Sequence, residues 1–247
     1  MDYTTILLAS VLFLLIAFLY SSVGHAGASG YLAIMALLSF PVESIKPVSL
    51  VLNIVVSAIA TYKFIKAGYF DKKIFLLFAI TSIPMAFVGG YLTIDVYWFK
   101  ILAGLFLILS GILLLVRQWL KPAENIRNPP LVGSLLIGAV IGLFSGLIGV
   151  GGGIFLSPII IIMGYTSLRN TSGVAALFIL CNSIIGLAGH YASLGKVPAA
   201  ILYWIVAVVI GGLLGAHYGS RKFNNKIILL CLCIVLLSAG VKFLVVG

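Results

Sequence analysis

Apolar residues run along this chain in long blocks, near residues 5–40, 47–62, 74–94, 97–116, 131–164, 173–194, 197–219 and 227–246. Each block reads as a membrane-crossing helix. None shows the alternating ten-residue pattern of an outer-membrane barrel. As a single helix, residues 5–40 would be about 54 Å long against a hydrocarbon core of roughly 30 Å, so that run must break or turn back. Both long runs carry a glycine-rich interruption: Gly24-His25-Ala26-Gly27-Ala28-Ser29-Gly30 in the first and Gly149-Val150-Gly151-Gly152-Gly153 in the second. Glycine leaves the helix at little steric cost, and unwound backbone is tolerated at membrane depth only where protein or water surrounds it. Two interruptions at corresponding places point to the substrate site of a transporter.

The polar, proline-rich stretch Lys121-Pro122-Ala123-Glu124-Asn125-Ile126-Arg127-Asn128-Pro129-Pro130 divides the chain almost equally. Residues 1–120 then form a first transmembrane repeat, 121–130 a cytoplasmic linker, and 131–247 a second repeat. Ordered matches support the duplication: Gly24 and Gly27 with Gly149 and Gly152, Lys46 and Ser49 with Arg169 and Ser172, Asn53 with Asn182, Tyr62 with Tyr191, Gly68 with Gly195, and Gly89-Gly90 with Gly211-Gly212. The expectation is an all-α, polytopic membrane protein of about eight to ten membrane segments, in two inverted repeats that each open with a discontinuous or re-entrant helix.

Charge selects between layouts. If each broken run crosses once, Lys and Arg divide nine to six between the two sides; if each returns to its starting side, they divide eleven to four. The positive-inside rule prefers the second, with the loops around Lys63–Lys73, Arg117–Arg127 and Arg221–Lys226 in the cytoplasm and both termini outside. Each half then crosses an odd number of times, which is what inverts the second.

Composition confirms the class: 63% of residues are hydrophobic and only 8% charged, which a wet surface could not accommodate. The net charge of +10 lies in short loops flanking the spans, so it orients the chain and does not indicate nucleic acid. The N-terminus has no basic region before its apolar run, which argues against a cleaved signal peptide. Cys181, Cys231 and Cys233 lie inside apolar runs, without metal-ligand spacing, and read as small buried residues. No metal site, cofactor motif or enzyme constellation is visible: HExxH, GxSxG, CxxC and the Gly-Lys-Ser/Thr ending of a P-loop are all missing.

The candidate chemistry is anion binding. A helix that starts after a break directs its free N–H groups and positive dipole end into the break. Such half-helices should begin near Ser29 or Gly30 and near Ile154, facing each other across the repeat interface. Asp2, Glu43, Asp71, Asp95 and Glu124 all fall at or near loops, which argues against a cation site built from carboxylates. Candidate substrate-binding residues are Gly24, His25, Gly27, Ser29, Gly30, Asn53, Gly149, Gly151, Gly152, Gly153 and Asn182. The amides can donate to an anion or cross-link helices. His25 can polarise an oxyanion or carry a coupling proton, or bond a freed carbonyl. Lys46 with Ser49 and Arg169 with Ser172 can guide an anion or act as interfacial anchors; His190 and His217 read as interfacial. The glycines of Gly142-xxx-Gly146, Gly149-xxx-Gly153 and Gly211-xxx-Gly215-xxx-Gly219 also fit close helix packing. A passive anion channel and a non-transporting membrane assembly protein remain open as other classes, and so does homo-oligomerisation.

The segment Gly146-Leu147-Ile148-Gly149-Val150-Gly151-Gly152-Gly153 with Pro158, followed by Arg169-Asn170-Thr171-Ser172, resembles the glycine signature and the basic-x-Thr-Ser element of the sulfite exporter TauE/SafE family, also called the toluene-sulfonate uptake permease family. The likeness runs over essentially the whole chain. It implies an inner-membrane carrier for sulfite, sulfoacetate or other organosulfonates, whose partners are a small anion and the lipid bilayer. The first half departs from the pattern, since its break holds no continuous glycine run and Lys46 is followed by Pro47.

Overall fold

The computed structural model describes residues 2–22, 25–117, 126–191, 197–218 and 225–245. The expected positions Gly24, linker residues 121–125, Gly195 and Gly219 lie outside them. Among the described residues all regular structure is helical: α1 (Tyr3–Ser22), α2 (Ala28–Leu37), α3 (Val42–Lys66), α4 (Lys72–Tyr91), α5 (Val96–Arg117), α6 (Leu131–Ile148), α7 (Gly153–Met163), α8 (Leu168–Gly189), α9 (Ile201–Tyr218) and α10 (Asn225–Val245). Six of these, α1, α3, α4, α5, α6 and α8, are long and apolar enough over their described residues to cross a membrane. The two long apolar runs do break at their glycines, into α1 with α2 and into α6 with α7.

Each broken run doubles back. The second hairpin is closed by the Arg127 N–H, just before α6, which donates to the Gly164 carbonyl just after α7 at 2.8 Å. In the first, Phe40 after α2 packs on Trp204 at a centroid distance of 5.6 Å. Trp204 in turn meets Phe13 at 5.4 Å and donates from Nε1 to Ile6 O, early in α1. Thus α1 leaves from, and α2 returns to, the same end of the bundle. With 10 and 11 residues, α2 and α7 rise roughly 15 Å, about half the hydrocarbon thickness.

Side-chain contacts orient the remaining helices. The start of α3 meets the end of α4 through Lys46 and Gly90, and the end of α8 meets the same carbonyl through His190. At the opposite end Arg169, at the start of α8, stacks on Tyr69 just past α3. Hence α3 and α8 run antiparallel. Lys242 near the end of α10 reaches Leu37 O and Ser39 Oγ beyond α2 at 2.7 and 2.8 Å. One end of the bundle therefore holds Lys46, Lys100 and Lys242; the other holds Lys63, Lys66, Lys72, Lys73, Arg127 and Arg169.

Small residues set how closely the helices pack. Along α6, Gly138, Gly142 and Gly146 lie so tightly on the carbonyls of Phe78, Ser82 and Ala86 in α4 that a Cβ at any of them would collide with backbone. Gly211 and Gly215 of α9 meet Leu14 and Phe18 of α1 in the same way. With lipid outside as apolar as leucine, such close contact and dispersion hold the helices together. A large core cluster, including Phe13, Tyr31, Leu52, Val56, Ile154, Ile179 and Trp204, fills the middle between both halves.

Two outcomes test this arrangement. Gly142→Leu, forced against the backbone of α4, should destabilise the detergent-solubilised protein by at least the ~1–3 kcal/mol typical of overpacking, read as a lowered unfolding temperature. Single cysteines introduced at residues 3 and 63 of a cysteine-free chain should be labelled by an impermeant thiol reagent from outside and inside the cell, respectively. Reversed labelling would invert the orientation.

Candidate substrate site where the two breaks meet

Three residues on one face of α3, Lys46, Ser49 and Asn53, are spaced so that they project in the same direction. That face is turned to both breaks. Ser49 Oγ lies 2.9 Å from Gly149 O and 3.3 Å from Ala28 O, touching one carbonyl from each broken hairpin. One turn deeper, Asn53 Nδ2 donates to Val150 O at 3.3 Å and to Ser183 Oγ of α8 at 2.9 Å. The breaks therefore meet inside the bundle, with α2 entering from one end and α7 from the other.

Left-handed backbone makes the turns. The residues capping α2 and α7 at their N-termini are Gly27 (φ 95°) and Gly152 (φ 76°), a region that residues with a Cβ adopt at a cost. Gly149 and Gly151 share it, with φ of 89° and 77°. The second break is also crowded: a Cβ on Gly151 would strike Asn53, Ile179 and Ser183, and one on Gly152 would strike Ile141. In the first break the Tyr20 hydroxyl pairs with Ser29 Oγ at 2.7 Å, and the Tyr31 hydroxyl donates to Ala26 O. His25 is buried there, only 4% exposed, and its backbone N–H donates to Tyr20 O.

Helices α2 and α7 each begin with N–H groups that have no partner within the helix and that point into this junction with the positive dipole end. Two buried oxygens beside it, Asn53 Oδ1 and Ser145 Oγ, lack a hydrogen-bond partner among the described residues. The hydroxyl can donate; the amide oxygen can only accept. No Asp or Glu lies in either break. The chemistry on offer is that of N–H and O–H donors, with the Asn53 amide oxygen as an acceptor among them, around a small polar solute.

The other candidates stand elsewhere. Both ends of the Asn182 amide are engaged at the α4–α8 contact, with Ser82 Oγ donating to Oδ1 at 2.8 Å and Nδ2 donating to Phe178 O at 3.0 Å. Its neighbour Ser183 is the residue that faces Asn53. Arg169 is exposed at the cation-rich end, its Nη1 donating to the Tyr69 hydroxyl at 2.7 Å; Ser172 lies one turn further along α8. Lys46, by contrast, is 6% exposed and sits against the second break: a Cβ on Gly149 would lie 3.0 Å from its Cγ. Its Nζ donates to the carbonyls of Gly90 at 3.2 Å and Gly89 at 3.5 Å. His190 turns inward to Gly90 O at 3.2 Å, so it does more than sit at the interface. Ser145, Ser183 and His190 are the polar residues near the junction that sequence reasoning passed over or placed elsewhere. A larger cavity, about 550 Å³, is a lateral apolar groove between α5 and α6 that lacks ionisable side chains and belongs to the lipid-facing surface.

A bundle of long apolar helices, with two broken hairpins meeting inside it, defines a multi-pass membrane protein built as a transporter. The chain belongs to the sulfite exporter TauE/SafE family, whose profile, described as "Sulfite exporter TauE/SafE", matches residues 9–243. It is similar to a probable membrane transporter protein, y4hK, of Sinorhizobium fredii, with 38% identity over 95% of this chain and 96% of that one. It is also similar to the probable membrane transporter protein YdhB of Bacillus subtilis, with 29% identity over 89% and 90% of the two chains. A third relative, the probable membrane transporter protein MJ0441 of Methanocaldococcus jannaschii, is 27% identical over 69% and 66%. No solved structure matches the chain. The protein is a membrane transporter.

Ser49 is the direct probe of the junction. Ser49→Ala removes a hydroxyl that contacts carbonyls of both breaks and should destabilise the protein by about 1–3 kcal/mol, while Ser49→Thr restores most of the loss. Equal unfolding temperatures for all three proteins would show that the bridge holds nothing together.

Proposed function

We propose that this transporter exports a small sulfur-containing anion, such as sulfite, sulfoacetate or another organosulfonate, across the inner membrane by alternating access. The observation that carries this reading is the meeting of the two breaks at Ser49, which bonds Ala28 O at the start of α2 and Gly149 O in the turn that leads to α7, and so gathers the interruptions from which both half-helices start, with their positive dipole ends, into one place. The absence of Asp and Glu from both breaks and the family's description as sulfite exporters support an anion as cargo. In this reading the backbone of residues 24–30 and 149–153, with Ser29 and Asn53, surrounds the anion. Ser145 and Ser183 add hydroxyl donors. His25 polarises the anion or relays a proton.

Inverted symmetry of the two halves belongs to the same proposal. Helix α6 packs on α4 as α9 packs on α1, and the matched residues Lys46 and Arg169 stand at opposite ends of the bundle. Exchanging two such halves about an axis in the membrane plane would open the junction to each side in turn.

The test is radiolabelled sulfite flux in proteoliposomes, with and without an imposed pH gradient, competed by sulfoacetate, thiosulfate and sulfate. Saturable, competed flux is expected. Gly152→Val, which puts a branched side chain at a left-handed position in the junction, should reduce it at least tenfold while insertion and monodispersity are kept. No flux of any of these anions by the unaltered protein would overturn the substrate assignment, and unsaturable flux would make the protein a channel.

A further inference from the structure

We infer that the cavity at the head of α3 is a second anion station, outside the junction, and that Lys46 hands the anion between the two. This rests on the anion reading above. The cavity holds about 240 Å³ and opens at the cation-poor end, where Glu43, Lys46, Thr93, Phe99, Leu147 and His190 line it. Lys46 is the buried cation of this lining, while Glu43 and Thr93 are exposed at the mouth. A carboxylate in water is screened within a Debye length of roughly 8 Å, whereas a buried ammonium keeps its field. The lining therefore draws an anion past Glu43 towards Lys46.

The geometry of Lys46 suits a hand-over. An ammonium has three donors, and Nζ donates to Gly90 O at 3.2 Å and to Gly89 O at 3.5 Å, the second at the outer limit of a hydrogen bond. These carbonyls belong to the last turn of α4, the negative end of its dipole, and Gly90 O is shared with His190 Nδ1. The ammonium thus rests on helix-end carbonyls through long bonds, and His190 can keep one of these acceptors satisfied when it leaves. Its stem lies against Gly149, and Ser49, one turn further along the same face, touches Gly149 O. Swinging from the α4 carbonyls towards the break, Lys46 moves its charge from cavity to junction. A neighbouring cavity of about 240 Å³, lined by Val42, Lys100 and Lys242, adds positive potential at the same end. Lys242 itself is spent on Leu37 O and Ser39 Oγ.

The experiment uses the full chain with Cys181, Cys231 and Cys233 replaced by Ala and a reporter, Thr93→Cys, at the cavity mouth. Its modification by an anionic methanethiosulfonate should slow at least threefold in saturating sulfoacetate. Lys46→Met, which keeps the stem against Gly149, should abolish that protection and cut sulfoacetate flux at least tenfold; Lys46→Arg should keep both in part. Glu43→Gln should shift protection to two- to threefold lower sulfoacetate concentrations, the opposite sign. Unchanged unfolding temperatures exclude a folding defect. Full protection in Lys46→Met, or none in the reporter protein carrying Lys46, would overturn the station. Because protection needs no turnover, it is read even if the protein moves none of the anions tried, an outcome that would count against the transport reading alone.

Discussion

Everything in this structure follows from having to unwind backbone inside a bundle of membrane-spanning helices. A carbonyl or N–H left bare in hydrocarbon costs several kcal/mol, so each break must be enclosed by protein and supplied with partners. A single face of α3 supplies many of them. Ser49 serves a carbonyl on each side and Asn53 serves Val150, while Tyr20 and Tyr31 secure the first break from its own flanks. The polarity collected there is thus a structural necessity before it is a binding site, and a transporter can use the surplus donors because the fold has already excluded lipid from them.

Enclosure depends in turn on close helix packing. The α4–α6 and α1–α9 pairs touch at backbone through glycine rows, which leaves α3 and α8 to run antiparallel through the middle. The half-helices lie towards a different pair: α2 is tied to α10 by Lys242, and Phe155 of α7 meets Phe106 of α5 edge-on at 4.6 Å.

Much of this was legible in the sequence, and the reasons are specific. The breaks were, because a 36-residue apolar run has no single-helix solution in a bilayer and glycines mark where it gives way; the half-helices begin at Ala28 and Gly153, within two residues of expectation. Their doubling back was legible from the cation balance alone. Residue orientation was not. Asn182 and Ser183 differ by one step, about 100° around α8, and that step sends the amide to Ser82 and the hydroxyl to Asn53. Lys46 and Arg169 hold matched places in the repeat expected from the sequence, yet Arg169 is the second residue of α8 and stays at the surface, whereas Lys46 lies four residues past the start of α3 and is buried. No repeat alignment contains that difference in depth. His190 read as interfacial because it ends a span, and only the tertiary contact with Gly90 O shows it facing inward.

The return of α2 to the end from which α1 departs has a consequence for how such a chain can arise. In the proposed inverted arrangement the opening hairpin adds no net crossing, so the first half would pass through the bilayer three times, in α3, α4 and α5, and finish on the face opposite its start. Joining a second copy directly to its end would seat that copy upside down, with no added span. An ancestral half made as a separate chain would have had to enter the membrane in both orientations to assemble the same junction. Fusion removes that demand, since the orientation of one half dictates that of the other.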